Sequence, residues 1–331
     1  MPGQYRGLTF SRDGNYIYYV FHEANSRDGT LYRVPALGGS ASELKKDVDS
    51  GISFSPDGTQ FVFVRSNDPT GEDTLVVANS QNGAEQKLAS RNFPEQFSIM
   101  ATPAWSPDGS IITAVTQTAD ESGFYLKIGG IDPATRTEKP LSSRRWLEID
   151  AIDWLPDGTG LVTSAQEPTS AFYHLWFIDY PRGEARRITN DLNDYLTVSI
   201  SADASMLLSI QRQTLTNIWL AKGDMTRPVQ LTSGAGMFFD LSWTSDGKIL
   251  YASDASGNAD IWEMAGDGTN QQQLTAGAGR NYAPVASPDG RYIVFHSNRT
   301  GRWQLWRMDR DGSNQVQLTN RKEESNWPEI S

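Results

Sequence analysis

The sequence has no cysteine and only three histidines among its 331 residues. Without cysteine there is no disulfide framework and no thiolate chemistry, and either a reducing or an oxidising compartment is possible. No apolar run approaches the roughly 18 residues that a membrane-spanning helix needs, and we recognise no signal peptide after Met1. Capped segments with helical periodicity are also missing, which favours an all-β protein.

Motifs of the common enzyme classes are missing as well. The sequence contains no nucleophile elbow, no phosphate-binding glycine loop and, around His22, no second histidine at the spacing of a zinc protease. His174 and His296, like His22, fall in or beside predicted strands, where we expect packed imidazole rings. The segment 309–314 begins like a calcium loop but lacks a closing carboxylate, so a hairpin turn is the prediction. We therefore predict neither a metal nor a cofactor.

The charge is strongly acidic, with a net value of −11 and a pI near 4.8. Nucleic-acid binding draws on an excess of Lys and Arg, so a nucleic-acid partner is not expected. Hydrophobic residues make up 38% of the chain and include 10 Trp, 12 Tyr and 13 Phe, enough to form a large core. The sequence therefore predicts a folded chain and not a disordered one.

A short turn recurs along the whole chain and has its clearest form at Ser287-Pro-Asp289-Gly290. Proline presets φ, the Asp side chain can bond the backbone two residues on, and glycine accepts a positive φ. Weaker copies include Ser201-Ala-Asp203-Ala204, whose missing glycine puts the geometry of that hairpin in doubt. Seven such turns, spaced by 44, 51, 49, 46, 43 and 43 residues, define repeat units one to seven. Their anchor aspartates are Asp13, Asp57, Asp108, Asp157, Asp203, Asp246 and Asp289.

Each unit divides into four predicted strands, and a period of about 40 to 50 residues with four strands is typical of a β-propeller. The first strand of a unit alternates apolar and small residues, which suits the crowded innermost position. We predict an all-β propeller of four-stranded blades, with seven blades and with six or eight as alternatives. Residues 1–331 form one domain in this interpretation. Because Trp327–Ser331 repeats the start of a first strand, we interpret the chain as a piece of a longer repeat array.

The candidate binding residues stand out from this repeat. Two long insertions, Arg91 to Met100 and Ser142 to Ile149, join a fourth strand to the next first strand and should lie at the channel mouth. Aromatic or basic residues precede or begin most first strands, and carboxylates replace small residues within some of them, including Glu329. The predicted ligand-binding residues are Phe97, Arg144, Arg145, Trp146, Asp153, Tyr195, Phe239, Asp240 and Tyr282. The alternatives are that the aromatic side chains fill the core and that the carboxylates bond neighbouring backbone.

With these residues in view, the chain resembles the TolB-like propeller family, whose repeat is built on the Ser-Pro-Asp-Gly turn. The segments Tyr5–Tyr19 and Arg186–Tyr195 look closer still to the propellers that follow the kinase domain in acidobacterial-type bacterial Ser/Thr kinases. The resemblance implies an interaction or sensing module outside the inner membrane. Such a module would be the sensor part of a larger bacterial signalling protein. No kinase residue can be carried over to this chain.

The function predicted from these observations is a non-catalytic module that binds a protein or peptide at the channel mouth. We expect a monomer without a membrane segment, and a ligand whose carboxylate meets Arg144 and Arg145. A propeller hydrolase or lyase with its site in the channel, or the gating propeller of a peptidase, is the alternative. An enzyme of this fold needs unique acids or histidines that meet at one mouth, and only Asp153, Asp240 and Glu329 qualify.

Overall fold

The structure is a computed structural model that describes residues 3–320, except residues 25, 27, 68–70, 121–122, 222, 224–226, 235 and 278. All of its described regular elements are strands, so the predicted all-β fold class is confirmed. The predicted strand start at Trp327–Ser331, with Glu329, lies outside the described residues.

Units one to three hold thirteen strands. Unit one comprises β1 (Gly3–Phe10), β2 (Tyr16–Glu23), β3 (Gly29–Pro35) and β4 (Ser42–Lys46). Unit two comprises β5 (Ser53–Phe54), β6 (Gln60–Asn67), β7 (Glu72–Asn79) and β8 (Glu85–Asn92). Unit three comprises β9 (Gln96–Phe97), β10 (Ala104–Trp105), β11 (Ile112–Asp120), β12 (Gly123–Ile131) and β13 (Glu138–Pro140).

The remaining units follow the same order. Unit four comprises β14 (Glu148–Trp154), β15 (Gly160–Gln166), β16 (Tyr173–Asp179) and β17 (Ala185–Arg187). Unit five comprises β18 (Asp194–Ile200), β19 (Leu207–Arg212), β20 (Trp219–Leu220) and β21 (Val229–Gln230). Unit six comprises β22 (Phe238–Trp243), β23 (Lys248–Ser253), β24 (Asp260–Ala265) and β25 (Gln272–Gln273). Unit seven comprises β26 (Asn281–Ala286), β27 (Tyr292–Ser297), β28 (Gln304–Asp309) and β29 (Val316–Gln317).

The strands of a unit pair antiparallel in chain order, as a propeller blade requires. Unit three adds β9, which pairs with β11 beside β10. Unit five differs, because its strands form two separate hairpin sheets, β18–β19 and β20–β21. The predicted four-stranded units are therefore confirmed for the other six, while the number of blades stays a prediction.

The anchor turn has the geometry that its sequence predicts. In unit seven the N–H of Gly290 donates to Ser287 O at 2.9 Å, and Ser287 Oγ donates to Asp289 at 2.6 Å. Gly290 has a φ of +70°. The glycine-free copy keeps the same turn, since Ala204 accepts a φ of +57° and its N–H donates to Ser201 O at 2.8 Å. The doubt about this hairpin is therefore resolved in favour of the regular geometry.

A threonine at the end of the fourth strand ties it to the third strand in units four to seven. Thr275 Oγ1 accepts the N–H of Ile261 at 2.9 Å and donates to the buried Asp260 at 2.8 Å. The equivalent threonines 189, 232 and 319 accept from the third strands of their own units at 2.9 to 3.1 Å. Eight residues separate each of these threonines from the left-handed residue of the next innermost strand, as from Thr189 to Thr197 and from Thr232 to Asp240.

Buried apolar side chains fill the spaces between successive sheets. Such cores join unit one to two, two to three, three to four and six to seven. A smaller core joins β20–β21 to unit six through Ile218, Tyr251 and Met264. The innermost strands supply large side chains to these cores: Trp154 of unit four is buried and its Nε1 donates to Thr113 Oγ1 of unit three at 2.8 Å.

Candidate functional site

Irregular pairing interrupts the innermost strand in units one, four, five, six and seven, at the level where neighbouring units meet. Gly7 and Gly51 approach so closely that a Cβ on Gly7 would lie 2.4 Å from the Gly51 Cα. Thr197 and Ala283 take φ values of +55° and +51° at the corresponding positions. The inner strands are therefore held together by backbone contacts at this level.

Carboxylates take part in the same contacts. Asp240 Oδ2 accepts the N–H of Ala283 in unit seven at 3.0 Å. Asp150 Oδ2 accepts the N–H of Thr197 in unit five at 2.9 Å. This is the structural role that the sequence left open for Asp240, although its side chain is also exposed to solvent.

The second predicted carboxylate, Asp153, lies elsewhere. It is half-buried in β14, and its Oδ1 accepts the N–H of Trp154 at 2.9 Å. Burial raises the pKa of the Asp153 carboxyl, and the hydrogen bond from Trp154 opposes that shift. The described contacts do not bring Asp153 and Asp240 to one point.

The first long insertion turns back onto its own blade. Phe97 pairs with Thr116 of β11 and is buried between units two and three. The Arg91 guanidinium stacks on the Phe97 ring at 5.0 Å and forms an ion pair with Glu138. A cleft of about 280 Å³ is lined by these side chains and by Gly129. The Phe97 ring is therefore a core residue, which corrects its predicted exposure at the mouth.

The second insertion also packs against a blade. The N–H and C=O of Trp146 pair with Leu126 of β12, and its side chain is 0% exposed. The Trp146 ring meets Trp176 edge-on at 5.0 Å between units three and four. Trp146 therefore cannot contact a ligand at the surface, because its ring fills the core. This corrects the prediction that Trp146 recognises a partner.

The two arginines before Trp146 already have acidic partners. Arg144 forms an ion pair with Glu167 and stacks on Trp176 at 4.6 Å. Arg145 is exposed, forms an ion pair with Asp120 at 2.6 Å, and stacks on Tyr125 at 4.2 Å. Their positive charge is thus balanced within the chain, which weakens the case for an acidic ligand here.

The remaining predicted aromatics lie in units five to seven. Tyr195 is half-buried in β18, and its hydroxyl donates to Asp191 at 2.7 Å. Phe239 and Tyr282 meet edge-on at 5.4 Å across units six and seven. Tyr282 is buried and accepts a hydrogen bond from Arg280 at 2.7 Å. Of the predicted residues, the structure brings Phe239, Asp240 and Tyr282 to one inter-unit contact and Arg144 and Trp146 to another.

The three histidines occupy packed positions. His22 Nε2 lies 3.2 Å from Asp49 O. Burial, together with the nearby Arg187, lowers the pKa of His174 to about 4. Burial also lowers the pKa of His296. Within the described ranges no group of three or more His, Cys, Asp or Glu side chains could hold a metal ion.

The residues that sequence reasoning missed are exposed apolar side chains where units five and six follow each other. Trp105 and Trp154 stand three positions before their anchors and are 9% and 4% exposed, whereas Trp243 at the same position is 58% exposed. Leu208 is 72% exposed, although the equivalent Val62 is buried. We name Met206, Leu208, Ile210, Leu241 and Trp243 the open apolar surface.

The cause is the divided sheet of unit five. In unit two the residues five and seven positions after the anchor face the following unit, as the buried Val62 and Val64 show. Leu208 and Ile210 hold these positions, while Trp243 faces the preceding unit. Residues 213–216, which link β19 towards β20, contain no glycine, but the link 167–172 of unit four contains none either, and β15 still pairs with β16. A missing glycine turn therefore does not distinguish unit five in the sequence.

Comparisons with known proteins agree with the fold. Residues 203–331 match the family model described as PD40, TolB beta propeller domain. No curated protein matches the chain in sequence. The family-model match confirms the resemblance to TolB-like propellers for residues 203–331. The closer likeness to kinase-linked propellers stays a prediction.

Several solved structures are similar at low identity. TolB from Acinetobacter baumannii is 17% identical, with 94% of this chain and 65% of that chain covered and a TM-score of 0.48. This chain therefore spans less than two thirds of that protein. A putative TolB from Agrobacterium tumefaciens is 19% identical, with 96% and 82% covered and a TM-score of 0.35. An oligogalacturonate lyase in complex with manganese is 14% identical, with 91% and 88% covered and a TM-score of 0.49. No helix in the described part could cross a membrane.

Proposed function

We propose that the chain is a non-catalytic module that binds a protein or peptide, and that the open apolar surface is its binding surface. On the resemblance to TolB-like propellers, we place it outside the cytoplasm of a bacterium as the sensor part of a larger signalling protein. Tyr195, Phe239 and Asp240 belong to the proposal because they lie on β18 and β22, the strands beside this surface.

One observation carries the proposal. The tryptophan three positions before the anchor is buried in units three and four, but Trp243 is largely exposed in unit six. Large exposed apolar patches on soluble proteins mark interaction sites. Tryptophan is also enriched among the residues that dominate binding energy. Trp243 and Leu208 are therefore the residues whose burial by a partner would contribute most.

The surroundings suit a polypeptide ligand. Exposed apolar side chains come from two successive units, since Met206, Leu208 and Ile210 belong to unit five and Leu241 and Trp243 to unit six. Both units also carry exposed carboxylates, at Asp203 and Asp240. An apolar centre with a polar rim is the usual composition of a protein interface. Arg144 and Arg145 remain a proposed second contact with the ligand. We expect it to contribute less to binding, since both arginines already have acidic partners.

A peptide-display selection tests the function. The immobilised chain is panned against a random peptide library, and selected peptides are titrated against Leu208→Asp, Trp243→Asp and Leu37→Asp variants. Leu37 is the control because it is a fully exposed apolar residue that lies in unit one, in the turn after β3. We expect the first two variants to bind about tenfold or more weakly, with Leu37→Asp unchanged and all three melting like the parent. Recovery of no peptide, or equal binding by all variants, would refute the function proposed here.

A further inference from the structure

The second strand of unit five has an unusual edge. In each of the other six units the second strand pairs with the third over six to nine residues. In unit five, β19 pairs only with β18 among the described strands, and β20 pairs only with β21. The outer edge of β19 therefore presents backbone groups that its counterparts use within their sheets.

The identity of these groups follows from strand alternation. The C=O of Met206 accepts the N–H of Ser201 at 2.9 Å, so Met206 directs its backbone towards β18. Alternate residues of an antiparallel strand direct their backbone groups to opposite edges. Leu207, Ser209 and Gln211 therefore direct their N–H and C=O groups away from β18. An extended strand could pair with all three, because β19 runs unbroken from Leu207 to Arg212.

The side chains beside this edge favour a partner strand in which apolar residues alternate with other residues. Met206, Leu208 and Ile210 project from one face and are all exposed. A strand added next to β19 would bring its own alternate side chains beside them, where cross-strand apolar pairs stabilise a sheet. Leu241 and Trp243, on the innermost strand of the next unit, are exposed as well. The favoured partner therefore carries apolar residues at every second position.

The negative charge near the outer edge of β19 determines which residues of the ligand are favoured between its apolar residues. From Asp191 to Asp246 the sequence has six Asp against two Arg and one Lys. Asp191 and Asp203 are exposed, and hydrogen bonds lower the pKa of the Asp203 carboxyl to about 2. These side chains are therefore ionised at neutral pH, so a basic segment is attracted and an acidic one repelled.

We propose that β19 binds an extended segment of a partner protein as an added strand, with apolar residues at alternate positions and Lys or Arg between them. This inference rests on the proposed function and specifies its ligand. Main-chain hydrogen bonds to Leu207, Ser209 and Gln211 supply the pairing, while the open apolar surface selects the side chains. Exposed strand edges are known to recruit such segments.

Synthetic peptides with the same number of residues as β19 test the chemistry. One alternates Val and Lys, a second replaces each Lys by Glu, and two further versions of the first carry N-methyl groups on one set of alternate residues or on the other. We expect the Lys peptide to bind, to weaken as salt is raised, and to exceed the Glu peptide by about tenfold or more. We expect one N-methylated version to lose binding and the other to retain it, since an added strand uses a single edge.

Two variants separate backbone pairing from side-chain contact. Ser209→Pro removes an outward N–H, and Ser209→Ala is its matched control because both variants lose the hydroxyl that donates to Leu196 O at 3.0 Å. Proline is tolerated on an edge strand. We expect Ser209→Pro to abolish binding of the Lys peptide and Ser209→Ala to retain it. Hydrogen exchange of segment 207–212 should slow on peptide binding in the parent, which supports the inference even if Ser209→Pro fails to fold.

The outcomes distinguish the two proposals. If peptides bind and are sensitive to Trp243→Asp, but neither N-methylation nor Ser209→Pro matters and segment 207–212 shows no slowed exchange, the protein binds peptides without adding a strand. The inference is then wrong while the function stands. A preference for the Glu peptide would overturn the charge argument. If no peptide from the library or the synthetic set binds, both proposals fail.

Discussion

Asp240 in unit six and Ala283 in unit seven are joined by a hydrogen bond of 3.0 Å from the Ala283 N–H to the Asp240 carboxylate. Ala283 has a left-handed φ of +51°, which directs its N–H away from its own sheet and towards the neighbouring strand. The bond thus joins two adjacent innermost strands.

Removing this carboxylate should destabilise the protein. We expect Asp240→Ala to lower the free energy of unfolding by about 1 kcal/mol, the usual net value of one hydrogen bond. Asp240→Asn keeps an oxygen acceptor and should lose less. Urea unfolding measures both variants. If the two are equally stable, the hydrogen bond to Ala283 does not contribute to stability.

Trp146 and Arg145 are neighbours in sequence but should behave differently. Trp146 fills the core between units three and four, so Trp146→Ala should cost about 3–5 kcal/mol through cavity formation. Arg145 is exposed and holds a surface ion pair with Asp120, so Arg145→Ala should cost about 1 kcal/mol or less. Thermal melting compares them. Equal melting temperatures would contradict the burial of Trp146.

Thr275 should matter more than its side-chain volume suggests. Thr275→Val keeps the shape but leaves the buried Ile261 N–H without its acceptor and takes a donor from Asp260. We expect a loss of about 2 kcal/mol, because buried polar groups without partners are costly. Thr269→Val, in an exposed turn of the same unit, is the control and should lose clearly less. A comparable loss in both variants would argue against this role.

Acidification should first stabilise and then destabilise the protein. Burial raises the pKa of several carboxyls above the ordinary value of 3.8, and these bind protons more tightly in the folded state than in the unfolded state. Their protonation therefore increases stability as the pH falls from neutrality towards 3.8. These carboxyls are Asp49, Asp73, Asp153, Asp254 and Asp260.

The anchor carboxyls act in the opposite direction. Hydroxyl and backbone hydrogen bonds lower the pKa of Asp57 and Asp289 to about 2. Their contribution is complete above the unfolded value of 3.8 and is lost as the pH falls towards about 2. Urea midpoints measured across this range should show a maximum at mildly acidic pH. Asp254→Asn should flatten the neutral side and Asp57→Asn the acidic side, and unchanged curves would contradict the assignment.

The repeat made most of the fold predictable from the sequence. Turns such as Ser287-Pro-Asp289-Gly290 combine residues whose local preferences agree, so the hairpins follow from backbone chemistry alone. The hydrogen bonds from the third strands to the threonines after the fourth strands could not be predicted in this way. Those bonds depend on pairing between strands, which sequence spacing does not specify.

The candidate site was predicted less well than the fold, because the burial of a side chain depends on how neighbouring sheets pack. Trp146 lies in an insertion, and insertions usually form exposed loops. Here the backbone of Trp146 pairs with Leu126, and its ring is buried in the core. Leu208 and Trp243 have the side chains expected of core positions, yet both are exposed beside the sheet that lacks the β19–β20 pairing. A sequence pattern shows which residues favour burial, but it does not show whether a neighbouring sheet is present to cover them.

A constant spacing of eight residues separates the threonine after a fourth strand from the left-handed residue of the next innermost strand, as from Thr275 to Ala283. This spacing has an evolutionary consequence. A gene segment duplicated from one threonine to the next would add a complete blade whose first and last contacts already match those of its neighbours. The spacing between the fourth strand of one blade and the first strand of the next would stay the same, so neither flanking blade would need compensating mutations. Propellers built on this spacing can therefore change in size by whole units through recombination.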